Sequence, residues 1–192
     1  MMAMKSPPKP ILLDVPLSFE TERLLIRAHM PGEGAELNAA ILETMESLRA
    51  WMPWAKTAPA LEESEAYTRQ SHADYLARKD FALRLWLKDG KTLVGCSGLH
   101  PRDWEVPKFE IGYWCRLRFR QQGYITEAVK AIADFGFKVL GARRLEIRCD
   151  ARNEASRHVA ERAGFPLEAT FRNDKRGMDG QLSDTLVFGK TK

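Results

Sequence analysis

Residues 109–129, FEIGYWCRLRFRQQGYITEAV, constrain the fold more than any other stretch of this chain. Phe109 to Cys115 reads as a strand, residues 116–124 as a basic loop containing one glycine, and Thr126 to Leu140 as a helix. In the helix Ala128, Val129, Ile132, Phe135 and Val139 recur at helical spacing, and Gly141 closes it. The first amides of a helix have no intrahelical acceptor, and the helix dipole adds partial positive charge there, so a strand–glycine–helix junction can cradle a phosphate. Gly123 lets backbone approach such a group closely. Arg118 and Arg120 would add charge-assisted hydrogen bonds. The dinucleotide pattern G-x-G-x-x-G is absent because Gly123 stands alone, and no GK[ST] follows as a nucleotide P-loop requires.

The rest of the chain supplies a sheet and its covering helices. TERLLIR, residues 21–27, reads as a strand. After Pro31 comes a helix with Leu37, Ile41, Met45 and Leu48 on one face, and then the aromatic loop Trp51-Met52-Pro53-Trp54. Thr57 and Pro59 signal a second, polar helix running to about Lys79, with Tyr67, Tyr75 and Leu76 as its contacts. Phe81, Leu83, Leu85 and Leu87 alternate as a strand, Asp89-Gly90 turns it, and 93–99 returns. Residues 101–107 form a loop. Leu145, Ile147 and Cys149 mark a later strand, Asn153 caps a helix ending at Ala163-Gly164, and 166–172 with 182–188 form a closing hairpin around Asp179-Gly180. The order predicts a mixed α/β (α+β) sheet covered by helices, with no internal repeat.

Composition excludes several classes. The 192 residues fit one domain, placed at 17–192 behind a flexible arm at 1–16. MMAMKSPPKP lacks the apolar middle of a secretory signal, and no apolar run is long enough to span a membrane, so a cytoplasmic protein is expected. Cys96, Cys115 and Cys149 read as small buried hydrophobes; no CxxC pair or histidine ligand spacing points to a metal. The net charge of +4 is interleaved with acids, except at Arg116, Arg118 and Arg120, and so does not suggest direct nucleic-acid binding.

Arg120-Gln121-Gln122-Gly123-Tyr124-Ile125 resembles the R/Q-x-x-G-x-G/A signature of the GNAT acetyltransferases, with Ile125 in place of the final Gly or Ala. Asn153-Glu154-Ala155-Ser156-Arg157-His158-Val159-Ala160-Glu161-Arg162-Ala163-Gly164-Phe165 resembles the N-x-x-S-x-x-V-A-x-[KR]-x-G-F segment of the ribosomal-protein-serine and -alanine (RimJ/RimL-like) branch, as do TERLLIR and the Trp-Met-Pro-Trp loop. The resemblance covers roughly residues 19–189. It implies a strongly twisted mixed sheet of about seven strands with about four helices, two of whose central parallel strands splay apart. It also implies acetyl-CoA as co-substrate. Its pantetheine arm would pair with the backbone of Tyr113, Trp114, Cys115 and Arg116 as an added strand, and its pyrophosphate would meet the amides of Gln121, Gln122, Gly123, Tyr124, Ile125 and Thr126.

Acetyl transfer to an amine needs a neutral nucleophile, a donor for the oxyanion and a proton for the departing thiolate. Glu110 shares a strand face with Gly112 and Trp114 and is the first candidate for the base, acting through a water; an ordinary pairing with an arginine is its alternative. Asp174 is the second candidate. Many family members use a tyrosine where this chain has Ala160, and the resemblance passes the acid role to Ser156. Asn153 is a partner for a pantetheine amide, a helix cap, or both. Amides near Tyr113 and Trp114 would polarise the thioester. Trp51 and Trp54 are candidates for a pocket wall, with Trp86 in the core. Cys115 is not read as a nucleophile.

The acceptor expected from the resemblance is a peptide α-amine, as on a ribosomal protein. A small amine (an antibiotic, a polyamine or an amino acid) and a non-catalytic acyl-CoA-binding regulator are the alternatives. A homodimer is compatible with the sequence.

Overall fold

Eight strands in the order β1-β2-β3-β4-β5-β6-β8-β7 make one mixed sheet in the computed structural model of the chain, which describes residues 9–192. The strands are β1 (Ser18–Glu20), β2 (Leu24–Ala28), β3 (Phe81–Leu87), β4 (Leu93–Asp103), β5 (Lys108–Cys115), β6 (Arg144–Asp150), β7 (Leu167–Arg176) and β8 (Leu182–Thr191). The helices are α1 (Gly34–Arg49), α2 (Leu61–Leu76), α3 (Tyr124–Lys138) and α4 (Glu154–Arg162). Neighbours pair antiparallel except β5 and β6, which α3 joins as a crossover. That parallel ladder is short: Lys108↔Arg144, Phe109↔Leu145 and Glu110↔Glu146, after which the two strands part.

The splay divides the sheet into a five-stranded and a three-stranded part. On one face, alternate residues of the strands pack with α3 and α4 in a core that includes Leu24, Ile26, Phe109, Ile111, Val129, Ile132, Ile147 and Phe165, all buried. On the other face, Leu37, Ile41, Met45 and Leu48 of α1 pack on Trp86, Leu93 and Cys96. α2 is held by small hydroxyls: Ser64, Thr68 and Ser71 are buried, while Tyr67 and Leu76, expected as contacts, are about half exposed and Tyr75 alone of the three is buried. Thr68 Oγ1 accepts from Arg84, a fully buried guanidinium that also reaches Glu33 and His29.

Three features differ from the sequence reading. The sheet has one strand more than about seven, because Ser18–Glu20 pairs with β2 and stacks Phe19 on Phe135 of α3, centroids 4.6 Å apart. β4 continues through Pro101 to Asp103, where a loop was expected. Residues 1–8 of the expected arm lie outside the described residues, whereas 9–16 are tied down: Arg78 donates to Leu13 O (2.9 Å) and Tyr75 Oη to Pro16 O (2.6 Å).

Candidate active site

β5 reaches the splay carrying side chains to both faces. Tyr113 points toward α4, and its hydroxyl lies 3.0 Å from both the carbonyl oxygen and the Oγ of Ser156, so a phenol and a serine hydroxyl meet across the gap. Burial pushes the Tyr113 phenol above its ordinary range, against the Ser156 hydrogen bond, which lowers it. Asn153 is the N-cap of α4: its Oδ1 accepts from Ser156 N at 3.0 Å, which fixes the first turn and sets Ser156 facing the gap. Ala160 is fully buried one turn further on.

On the opposite face Glu110 belongs to the last residue pair before β5 and β6 separate. Arg102 donates to Oε2 at 2.7 Å from Nη2 and 3.2 Å from Nε, the arginine pairing that sequence left open; Oε1 accepts no hydrogen bond among the described residues. Glu110 lines a cleft of about 470 Å³ over β5, β6 and β8, with Glu146, Arg148 and Thr185 along its floor and Lys108 and Arg102 at one side. Asp174 and Lys175 of β7 complete it, so both carboxylates nominated from sequence face one space. Trp114, on the Glu110 side of the strand, packs instead against the α1 core. Trp86 is buried, and Trp51 and Trp54 are exposed.

At the other end of β5 the chain turns through Leu117–Phe119 into α3. The helix begins at Tyr124, two residues earlier than expected, which makes Gly123 its N-cap with φ +81°. Gln121 is also left-handed, φ +59°. The amides of Tyr124, Ile125 and Thr126 are therefore first-turn donors. A second cleft of about 370 Å³ is lined by Gly123 and Thr126 of this turn, with Glu127, Lys130, Arg162 and Glu22.

The loop cations turn away from that cleft. Arg118 grips Glu43 of α1, Arg116 is buried against Glu43 (2.7 Å) and Glu36 (2.6 Å), and Arg120 donates to Ser47 Oγ (2.5 Å). Hydrogen bonds from Arg118, with help from Arg116, hold the Glu43 carboxyl down at about 2. Sequence reading missed Arg23, which donates to Gln122 O (3.0 Å) and lies 4.3 Å over the Tyr124 ring, as well as Lys130 and Arg162. Lys130 stands on a helix with nothing in its local sequence to mark it, whereas Arg162 fills the [KR] position of the second family segment, a match that by itself assigns it no contact. Burial pushes the Cys115 thiol up to about 11.

A sheet that opens between two parallel strands above a glycine-capped helix offers an unpaired strand edge beside a set of free helix amides. The family assignment follows from sequence: residues 23–166 match the family described as Acetyltransferase (GNAT) domain, and the chain belongs to it. Over 176 residues it is 31% identical to a Bacillus subtilis (strain 168) protein named "Putative ribosomal N-acetyltransferase YdaF", covering 89% of this chain and 92% of the relative. It is 28% identical over 133 residues to the ribosomal-protein-serine acetyltransferase of Escherichia coli (strain K12), 66% of this chain and 74% of that one. The fold matches that of the microcin C7 self-immunity acetyltransferase MccE, solved with acetyl-CoA and AMP, at a TM-score of 0.80 and 22% identity over 90% of this chain and 94% of that chain. The protein is a GNAT N-acetyltransferase with a RimJ/RimL-like sequence, and acetyl transfer is its chemistry.

Proposed function

We propose that the chain moves the acetyl group of acetyl-CoA to the α-amine of a peptide, with Glu110 as base and Ser156 as acid. One observation carries this reading: Glu110 stands at the vertex of the splay with Oε1 accepting no hydrogen bond among the described residues, while Ser156 and Tyr113 meet on the far side of the same gap. A thioester lying in the gap is thereby bracketed by a proton acceptor on one side and a donor pair on the other. The amine enters through the cleft and loses a proton to Glu110, directly or through a water. Its nitrogen attacks the acetyl carbon, the carbon–sulfur bond breaks, and the sulfur leaves with the electron pair. Ser156 supplies the proton, the Tyr113 phenol passes its own to the serine, and solvent restores the phenol, which burial keeps protonated at rest. Asp174 faces the cleft as the alternative base.

The cofactor's pantetheine would lie along the unpaired edge of β5 at Tyr113 to Cys115, with its pyrophosphate on the amides between Gln121 and Thr126. Arg118 and Arg120 then act by fixing the loop to α1, and Arg23, Lys130 and Arg162 are the cations nearest the phosphates. Asn153 holds the α4 turn that presents Ser156.

A peptide α-amine suits this site because its ordinary pKa of about 8 leaves it partly neutral, whereas lysine at about 10.4 demands more from the base. The names of the B. subtilis and E. coli relatives support a ribosomal-protein acceptor. The test is acetyl-CoA turnover on matched peptides read by mass spectrometry. N-terminal Ser or Ala peptides are expected to be labelled ahead of internal lysines. Glu110→Gln is expected to lower kcat about 10²- to 10⁴-fold while acetyl-CoA binding is kept. A wild-type rate in that variant removes Glu110 as base, and exclusive labelling of lysine or of small amines overturns the peptide acceptor.

A further inference from the structure

The cleft beside Glu110 holds more positive charge than its own acids use. Arg102 is bound to Glu110, and Glu146 is served by Arg144 at 2.7 Å, with Lys108 at 3.7 Å. Arg148 is different. Its nearest acid is Asp174 at 3.9 Å, beyond hydrogen-bond reach, and its guanidinium lies 5.4 Å from the centre of the Phe171 ring. The ammonium of Lys175, exposed on β7, makes no ion pair or hydrogen bond among the described residues. Between them Thr185 of β8 is 3% exposed, and its Oγ1 has no hydrogen-bond partner among the described residues. A buried hydroxyl without a partner is costly, and a ligand that accepts its proton removes that cost.

We propose that Arg148, Lys175 and Thr185 form a carboxylate-binding subsite that selects acceptors bearing an acidic group close to the reacting amine. The inference rests on the cleft being the acceptor site. A carboxylate is the group that satisfies all three residues: it accepts from a guanidinium, an ammonium and a hydroxyl at once. A cationic group would meet Arg148 and Lys175, and a neutral one would leave both as they are. Geometry sets the spacing. Glu110 pairs with Glu146, and Arg148 is two residues further along β6 on the same face, about 7 Å away. At about 3.5 Å per residue, that is the reach from an N-terminal amine to an acidic side chain one or two residues on. The α-carboxylate of a free amino acid is the other source of the same group.

The experiment compares two pairs of acceptors in coenzyme A release: the peptides Ala-Asp-Ala-Ala-amide and Ala-Asn-Ala-Ala-amide, and alanine with alaninamide. In the wild-type chain, kcat/KM for the carboxylate-bearing member of one pair is expected to exceed its neutral partner by about tenfold or more, the scale of a charge-assisted contact. Whichever pair discriminates identifies the source of the carboxylate. Lys175→Gln, at an exposed position, and Thr185→Val, which keeps the shape, are expected to reduce that ratio with the neutral member's rate preserved. Equal rates within both pairs, or an undiminished ratio in both variants, overturn the subsite while leaving the acceptor reading intact. Acetylation of none of the four overturns the acceptor reading and the subsite with it.

Discussion

The two ends of the splay are both rich in arginine and lysine, and they use these residues in opposite ways. Next to α3, Arg116 and Arg118 are consumed by Glu43 and Glu36, and Arg120 is turned to Ser47. Over β6 and β8, Arg148 stands 3.9 Å from its closest acid and Lys175 has no acid paired with it among the described residues. The first group builds the protein, since it pins the loop of residues 116–120 to α1 across more than 70 residues of sequence. The second is left for something that arrives. A cation's role is thus decided by the acid that folding brings to it, and a count of charges along the chain cannot separate the two cases.

Four measurements break or sharpen the contrast. The largest effect belongs to Arg116→Met. It leaves Glu36, 36% exposed, without its partner and Glu43 with Arg118 alone, and a loss of about 2–3 kcal/mol in urea unfolding is expected; a loss under about 1 would mean that this arginine is not structural.

A second committed cation, Arg84, acts through its neighbour. Burial first, then Arg84 and Arg27, hold the His29 pKa down at about 3 from 6.5. The folded protein therefore refuses a proton that the unfolded chain takes. The stabilisation is complete above about pH 6.5 and falls as pH drops below it, by about 1.4 kcal/mol per unit. Between pH 7 and pH 5, where ordinary carboxylates stay ionised, about 2 kcal/mol should be lost, and His29→Phe should flatten that slope. An equal slope in the variant places the pH dependence elsewhere.

Gly123→Val comes next. A β-branched residue at φ +81° should cost about 1–2 kcal/mol and, by disturbing the first-turn amides, weaken acetyl-CoA at least tenfold in calorimetry. Unchanged affinity in the folded variant removes the loop from the cofactor site. The smallest effect is expected for Arg118→Ala, whose side chain is 58% exposed: under about 1 kcal/mol in stability and less than about threefold in acetyl-CoA affinity. Weakening by an order of magnitude would return Arg118 to the phosphates.

The strand–loop–helix at 109–138 was legible because its signals are local: alternation, a lone glycine, then helical spacing. The hairpin at Asp89-Gly90 and the Asn153 cap were legible for the same reason. β1 escaped because three residues carry no period, and its strand character comes from pairing with β2 and from Phe19 on Phe135. The fates of Arg116, Arg118 and Arg120 escaped because Glu36, Glu43 and Ser47 are elements away. The meeting of Tyr113 with Ser156, 43 positions apart, needed the crossover to be built before it could be seen. Sequence nominated Tyr113 for its backbone alone, and the phenol is what the fold adds.

The parallel ladder of three residue pairs also makes the sheet a jointed plate. Five strands on one side and three on the other are each stitched along their length by antiparallel ladders, and among the described residues the ladder joining the two across β5 and β6 is Lys108 to Glu110, with Pro107 O accepting from Arg143 and Arg144 just before it. Spreading the plate beyond that joint stretches no backbone ladder between β5 and β6, because none runs there. The side-chain contact between Tyr113 and Ser156 acts as a latch across the opening, one that a guest in the gap can replace with its own hydrogen bonds. Backbone pairing is thus given up at the place where the proposed mechanism brings the two substrates together, and it is kept on either side of it.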